Sequence, residues 1–124
     1  MRGRFAPSPT GYMHLGKAWT AFLCWLQVVQ AGGVRVLRIE DVDEQRSKSY
    51  FAAAVLEDLA WLGLAWEEGP DISGAYGPYI QQERYGKYRV VLDLLRSRGI
   101  LYPCYCSRAR IQSVSAPHAG EHAI

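Results

Sequence analysis

Residues 4–18 read RFAPSPTGYMHLGKA: two prolines, two glycines, a serine, a threonine and a histidine set between an arginine and an apolar run. An ordinary edge loop has no need of so rigid and polar a turn. Gly11 and Gly16 allow close approach of a ligand to the backbone. Free amides at the start of the following helix, the Ser8 and Thr10 hydroxyls, a His14 donor and the Lys17 charge all suit a phosphate. The chain lacks the lysine-threonine or lysine-serine ending of a P-loop and the GxGxxG fingerprint of a dinucleotide fold. The segment reads as a ligand cradle between a strand and a helix.

Working outward, LGKAWTAFLCWLQVVQAGG (15–33) predicts a helix with Ala18, Phe22, Trp25, Leu26 and Val29 at helical spacing, stopped by Gly32–Gly33. VRVLRIED (34–41) alternates as a strand with an acidic end. SKSYFAAAVLEDLAWLGLAW (47–66) predicts a second helix, with Phe51, Val55, Leu59 and Leu62 in one stripe, Ser47 or Ser49 as cap and Gly63 as stop. EEGPDISGAYGP (67–78) is a loop. A third helix from about Glu83 to Arg98 turns Tyr88, Val91, Leu92 and Leu95 inward, and ILYPCYC (100–106) is a short strand or extended segment. Trp19, Trp25, Trp61 and Trp66 serve as core or cover. Strand alternating with helix predicts an α/β domain with a parallel sheet, in which ligands gather at the carboxyl ends of strands. Both RFAPSP and RIEDVD place polar residues at such an end.

The 124 residues allow one domain at most, and 49% hydrophobic with 21% charged content is that of a globular protein. No apolar run approaches the roughly 20 residues of a membrane span, and the N-terminus lacks the order of a signal peptide. These features lead to a cytoplasmic reading. The net charge of +2 is unevenly laid out. Glu40 to Asp71 holds nine acidic and two basic residues, whereas Arg84 to Arg110 holds seven basic residues and one acidic, Asp93. Such polarity suits a polyanion such as tRNA, or ordinary solvated faces. Three cysteines do not make a disulfide framework in a cytosolic chain. Cys24 falls in an apolar helical run and reads as core.

RFAPSPTGYMHLGKA followed by RIEDVDEQRS (38–47) closely resembles the catalytic domain of glutamyl-tRNA synthetases, class I enzymes with a nucleotide-binding, Rossmann-like fold. The likeness extends through LEDLAWLGLAWEEGP (56–70), YIQQERYGKY (79–88) and LYPCYCSR (101–108), nearly the whole chain. The resemblance implies ATP-dependent activation of L-glutamate. It assigns Arg4, Phe5, Ala6, Pro7 and Ser8, with Glu40, to the glutamate site, and Ser8, Thr10, Gly11, His14, Gly16 and Lys17 to ATP. An arginine suits a carboxylate and a glutamate suits an α-ammonium group. His14 and Gly16 take the catalytic part, His14 stabilising charge on the α-phosphate. Mg²⁺ is expected with the ATP, without a clear protein ligand. Asp41 and Asp43 are left to structural roles.

The family has two branches that fit. One charges tRNA(Glu). The other, shorter and resembling the catalytic half alone, is the glutamyl-Q tRNA(Asp) synthetase branch, which attaches glutamate to the queuosine base of tRNA(Asp). YPCYCSRARI (102–111) favours the second, since its CxC resembles that branch's zinc-binding insertion. Cys104 and Cys106 can both reach one structural Zn²⁺, which needs two further ligands. Either His118 and His122 complete the set, or a tyrosine and a cysteine follow the last residue.

The resemblance divides the chain into residues 1–103, the N-terminal half of the nucleotide-binding domain, and 104–124, the start of a zinc insertion. The family's second ATP signature, a lysine-methionine-serine-lysine-serine loop, is not among the 124 residues. The expectation is an N-terminal, monomeric fragment, inactive by itself. The alternatives are a non-catalytic tRNA-binding module and a plain zinc-stabilised α/β domain.

Overall fold

In the computed structural model, residues 1–107, 109 and 110 are described. Strand β1 (Arg2–Phe5) leads through the proline loop into α1 (Leu15–Gln30), then β2 (Val34–Leu37), α2 (Ser49–Trp61), a 3₁₀ turn (Gln82–Arg84) and α3 (Tyr85–Ser97). β1 and β2 pair in parallel, with Arg2 opposite Val34 and Phe5 opposite Leu37. The chain after α2 returns along the free edge of β2, bridging Val36 to Glu68 and Ile39 to Ile80, again in parallel. The expected α/β order and parallel sheet are thus present. ILYPCYC differs: residues 101–107 take no helix or strand assignment.

Strand alternation gives the sheet two unlike faces. Gly3, Phe5, Leu37 and Ile39 turn one way. There Leu37 and Ile39 join Ala21 of α1, Val55 and Leu59 of α2 and Leu64 in one buried cluster. Arg2, Arg4, Val36 and Arg38 line a cavity together with Tyr76, Tyr79 and Arg84. Gly32, Gly63 and Gly99 end α1, α2 and α3 at φ of +56°, +70° and +68°, values that favour glycine.

Helix faces differ from the sequence reading. In α1 the buried residues are Ala21 and Val28, while Phe22 and Val29 are exposed. Cys24 is half-buried. α2 buries Val55 and Leu59 as expected, but Leu62 is exposed and Lys48 precedes the helix without a side-chain cap. The rings of Trp19 and Trp61 are exposed, whereas Trp25 and Trp66 pack at the core margin.

Two compact units are distinguished, Met1–Arg89 and a second beginning at Val90. α3 fully buries none of its residues: of the inward stripe expected, Val91 and Leu92 are exposed and Tyr88 and Leu95 are half-buried.

Candidate active site

The proline loop continues the line of β1 beside β2. The carbonyls of Phe5, Pro7 and Pro9 accept from Arg38 N–H at 3.0 Å, Glu40 N–H at 3.0 Å and Lys48 N–H at 3.0 Å respectively. Alternate carbonyls are therefore satisfied, and prolines at 7 and 9 need no acceptor for an N–H they lack. Pro7 and Pro9 are buried, leaving Ser8 between them on the outside. The rigidity visible in the sequence has this cause: the loop is clamped to the end of β2 and to the start of α2.

His14 ends the loop and stands at the N-cap of α1. Its backbone is extended (φ −110°, ψ 167°), its carbonyl accepts from Ala18 N–H at 3.1 Å, and its side chain does not cap the helix. The imidazole is exposed and rests against Gly16, where a Cβ would lie 3.2 Å from the ring. Lys17 Nζ donates to the Ser8 carbonyl at 3.4 Å, folding the lysine back over the loop. Phe5, Ala6, Pro7, Ser8, Thr10, His14, Gly16 and Lys17 surround one open groove. Of the residues assigned to ATP, only Gly11 is not on its wall.

Arg4 and Glu40 are placed otherwise. Arg4 lines the second cavity, on the sheet face opposite α1, with Arg2, Arg38, Tyr76, Tyr79 and Arg84. It makes no ion pair among the described residues. Glu40 is ion-paired to Arg38, so its carboxylate is already partly neutralised. Arg84 donates to the Tyr76 and Pro78 carbonyls at 3.3 and 3.1 Å and has no carboxylate partner among the described residues. Arg4 and Arg84 thus offer an anion two guanidiniums that have no ion pair among the described residues, and the groove that begins at Phe5 offers helix amides and an imidazole.

Sequence reasoning missed Glu68 and its partners. Glu68 is the one buried charged residue among the described residues, held by Arg2 and by the Tyr79 hydroxyl. The Arg2 bond first, and the Tyr79 bond next, hold its carboxyl below the usual range, so it is anionic at neutral pH. Burial pushes the Tyr79 hydroxyl up, as does its bond to Glu68. Asp41, left to structure, accepts from Gln82 N–H at 2.9 Å and fixes the 3₁₀ turn.

Cys104 and Cys106 are exposed free thiols. Among the described residues no group of three or more metal-type side chains gathers, and His118 and His122 lie outside them. No described helix is long and apolar enough to cross a membrane.

The family model for the catalytic domain of class I tRNA synthetases (E and Q) matches residues 1–121. The chain is 51% identical over 122 residues to the glutamyl-Q tRNA(Asp) synthetase of Nitratidesulfovibrio vulgaris, covering 98% of this chain and 38% of that protein. It is 55% identical over 117 residues to the enzyme of the same name from Symbiobacterium thermophilum, covering 94% and 36%. Glutamate–tRNA ligase 2 of Acidithiobacillus ferrooxidans is 52% identical over 107 residues, 86% of this chain and 22% of that one. Among solved structures, a glutamate tRNA ligase from Elizabethkingia meningosepticum in complex with its amino acid superposes with a TM-score of 0.76 at 34% identity. The match covers 93% of this chain and 23% of that one. The chain thus spans little more than a third of the length of the glutamyl-Q relatives.

Proposed function

The chain belongs to the class I tRNA synthetase (E and Q) catalytic-domain family, and on that premise we propose that it supplies the ATP- and glutamate-binding half of an enzyme that activates L-glutamate and transfers it to tRNA. The carrying observation is that consecutive residues of β1 line two sites: Arg4, with no ion pair among the described residues, lines one cavity, and Phe5 lines the helix-start groove that holds His14. Arg4 takes a substrate carboxylate, Glu40 the α-ammonium group, and Phe5, Ala6, Pro7 and Ser8 the wall between. ATP lies along Ser8, Thr10, Gly11, Gly16 and Lys17. The α-carboxylate oxygen bonds to the α-phosphorus as the bond to pyrophosphate breaks, and His14 donates to the α-phosphoryl oxygen where charge develops. Positioning of the two reactants carries the rest. A Mg²⁺ bound with ATP would supply neutralisation of phosphate charge, with no side chain of this chain assigned to hold it.

Residues 1–103 form the N-terminal half of the nucleotide-binding domain in this reading, and 104–124 begin an insertion in which Cys104 and Cys106 provide two of four ligands to a structural Zn²⁺. His118 and His122 would be candidates for the others. The acceptor is the queuosine base of tRNA(Asp), a reading supported by identity to two glutamyl-Q relatives across nearly the whole chain. Charging of tRNA(Glu) is the second reading, supported by the 52% identity to a glutamate–tRNA ligase. Glutamate-dependent ATP–pyrophosphate exchange by the protein carrying residues 1–124 separates them. Exchange without tRNA that is lost in His14→Ala and Arg4→Ala supports the first; exchange only with tRNA(Glu) supports the second. No exchange under either condition leaves a tRNA-binding module.

A further inference from the structure

Strand register sets Arg4, Val36 and Glu68 in one row on the sheet face opposite α1. Arg4 is the Cα partner of Val36 across β1 and β2, and Val36 bridges in parallel to Glu68. With neighbouring strands about 4.8 Å apart, the Arg4 and Glu68 backbones are separated by roughly 10 Å. An extended arginine side chain reaching toward an extended glutamate covers that gap. By register, Arg4 is the natural partner of Glu68.

The Glu68 carboxylate is held instead by Arg2, two residues earlier on β1, whose Nη2 donates to Oε2 at 2.5 Å. Tyr79 donates to the same oxygen, and its hydroxyl accepts from Tyr76 N–H at 3.2 Å. The Arg2 guanidinium also lies 4.6 Å over the Tyr76 ring, a second contact that holds it at Glu68. Arg2 and Arg4 line the same cavity, yet one is neutralised and the other has no ion pair among the described residues.

We propose that Arg2 is a positioning residue that occupies Glu68 and so keeps the Arg4 guanidinium open to an incoming carboxylate. An arginine already forked to a buried carboxylate offers a second anion a spent partner. The inference rests on the reading of Arg4 as the glutamate contact, so its test separates the two.

The 124-residue chain is labelled with p-hydroxyphenylglyoxal and each arginine is followed by mass spectrometry, with and without L-glutamate. In the wild type Arg4 reacts faster than Arg2. In Arg2→Met, Glu68 turns to Arg4 and slows its labelling about tenfold. Adding Glu68→Gln to Arg2→Met returns Arg4 to its wild-type rate, a rescue that loss of the fold would not permit. Unchanged Arg4 labelling in Arg2→Met overturns the proposal, as does a slowing that Glu68→Gln does not reverse. If the rescue holds but L-glutamate never protects Arg4, the glutamate assignment fails and the role of Arg2 stands.

Discussion

Gly3 on β1 lies directly beneath Val28 on α1: a Cβ on Gly3 would stand 2.0 Å from Val28 Cγ2 and 3.7 Å from Cys24 Sγ. Val28 is fully buried, so it has no room to move aside. This close approach seats α1 on β1 and thereby sets where His14, at the head of the helix, meets the groove. Gly3→Ala is expected to lower stability by about 1–3 kcal/mol through overpacking. Urea titration should show a lower midpoint with an unchanged slope. The cost should shrink in a Val28→Ala background, since the two sites are in contact and couple.

Gly16 is a different kind of glycine. It sits in the first turn of α1, and a Cβ there would meet His14 Cε1 and Nδ1 at 3.2 Å, which forces the imidazole to give by a few tenths of an ångström. Alanine is a better helix former than glycine by roughly 0.5–1 kcal/mol. Gly16→Ala should therefore leave stability equal or raised while displacing the ring. The expected result is a fall of about tenfold in ATP–pyrophosphate exchange, in line with the sensitivity of catalysis to placement. A parallel fall in stability would instead place the effect in the fold.

Pro9 is fully buried and its carbonyl accepts from Lys48 N–H at the start of α2. Replacing it with alanine frees the unfolded chain without adding a folded contact, at a cost of about 0.4–1 kcal/mol. Pro9→Ala should lower the thermal midpoint by a few degrees. Hydrogen exchange should quicken first at Lys48, Phe51 and Ala52, whose amides close the turn. Exchange that quickens equally across α1 would show a global loss and count against the clamp.

How much of this was legible in sequence depended on whether the cause was local. The strand–loop–helix order around residues 4–18 was legible because prolines, glycines and period-two alternation are local signals. The bounds of α1 were legible from Gly32. Its buried face was not, because α1 has apolar residues on two sides, the exposed stripe of Leu15, Trp19, Phe22 and Val29 and the buried side of Ala21 and Val28, and periodicity does not choose between them. The missing side chain at Gly3 makes the selection, and that is a tertiary fact. The phosphate groove was legible as a contiguous run. The Arg4 cavity was not, since Tyr76, Tyr79 and Arg84 arrive from a loop more than 70 residues away. Glu68 looked like half of a solvated acidic pair with Glu67. Only its bridge to Val36 turns it inward.

Glu67, the other half of that pair, supplies a pH-dependent term. Its Oε2 accepts from Arg35 N–H at 2.7 Å and Arg35 Nε at 3.1 Å, and its Oε1 pairs with Arg35 Nη2. The Arg35 side chain chiefly, with its backbone amide, holds the Glu67 carboxyl below its ordinary value of 4.5. A depressed carboxyl contributes stability that is fully present above the unfolded value and is lost as pH falls through the folded one. The Glu67 side chain is 41% exposed, so solvent screening keeps the contribution to no more than about 1 kcal/mol. Glu67→Gln, which does not titrate, should be less stable than the wild type at pH 7 by up to that amount. The gap should narrow as pH falls below about 4.5 and close once the wild-type carboxyl is protonated. Urea midpoints of both proteins between pH 7 and pH 3 test this. A gap that stays constant over that range would mean that the Arg35 contact stabilises through shape and backbone hydrogen bonding, with no part for the charge.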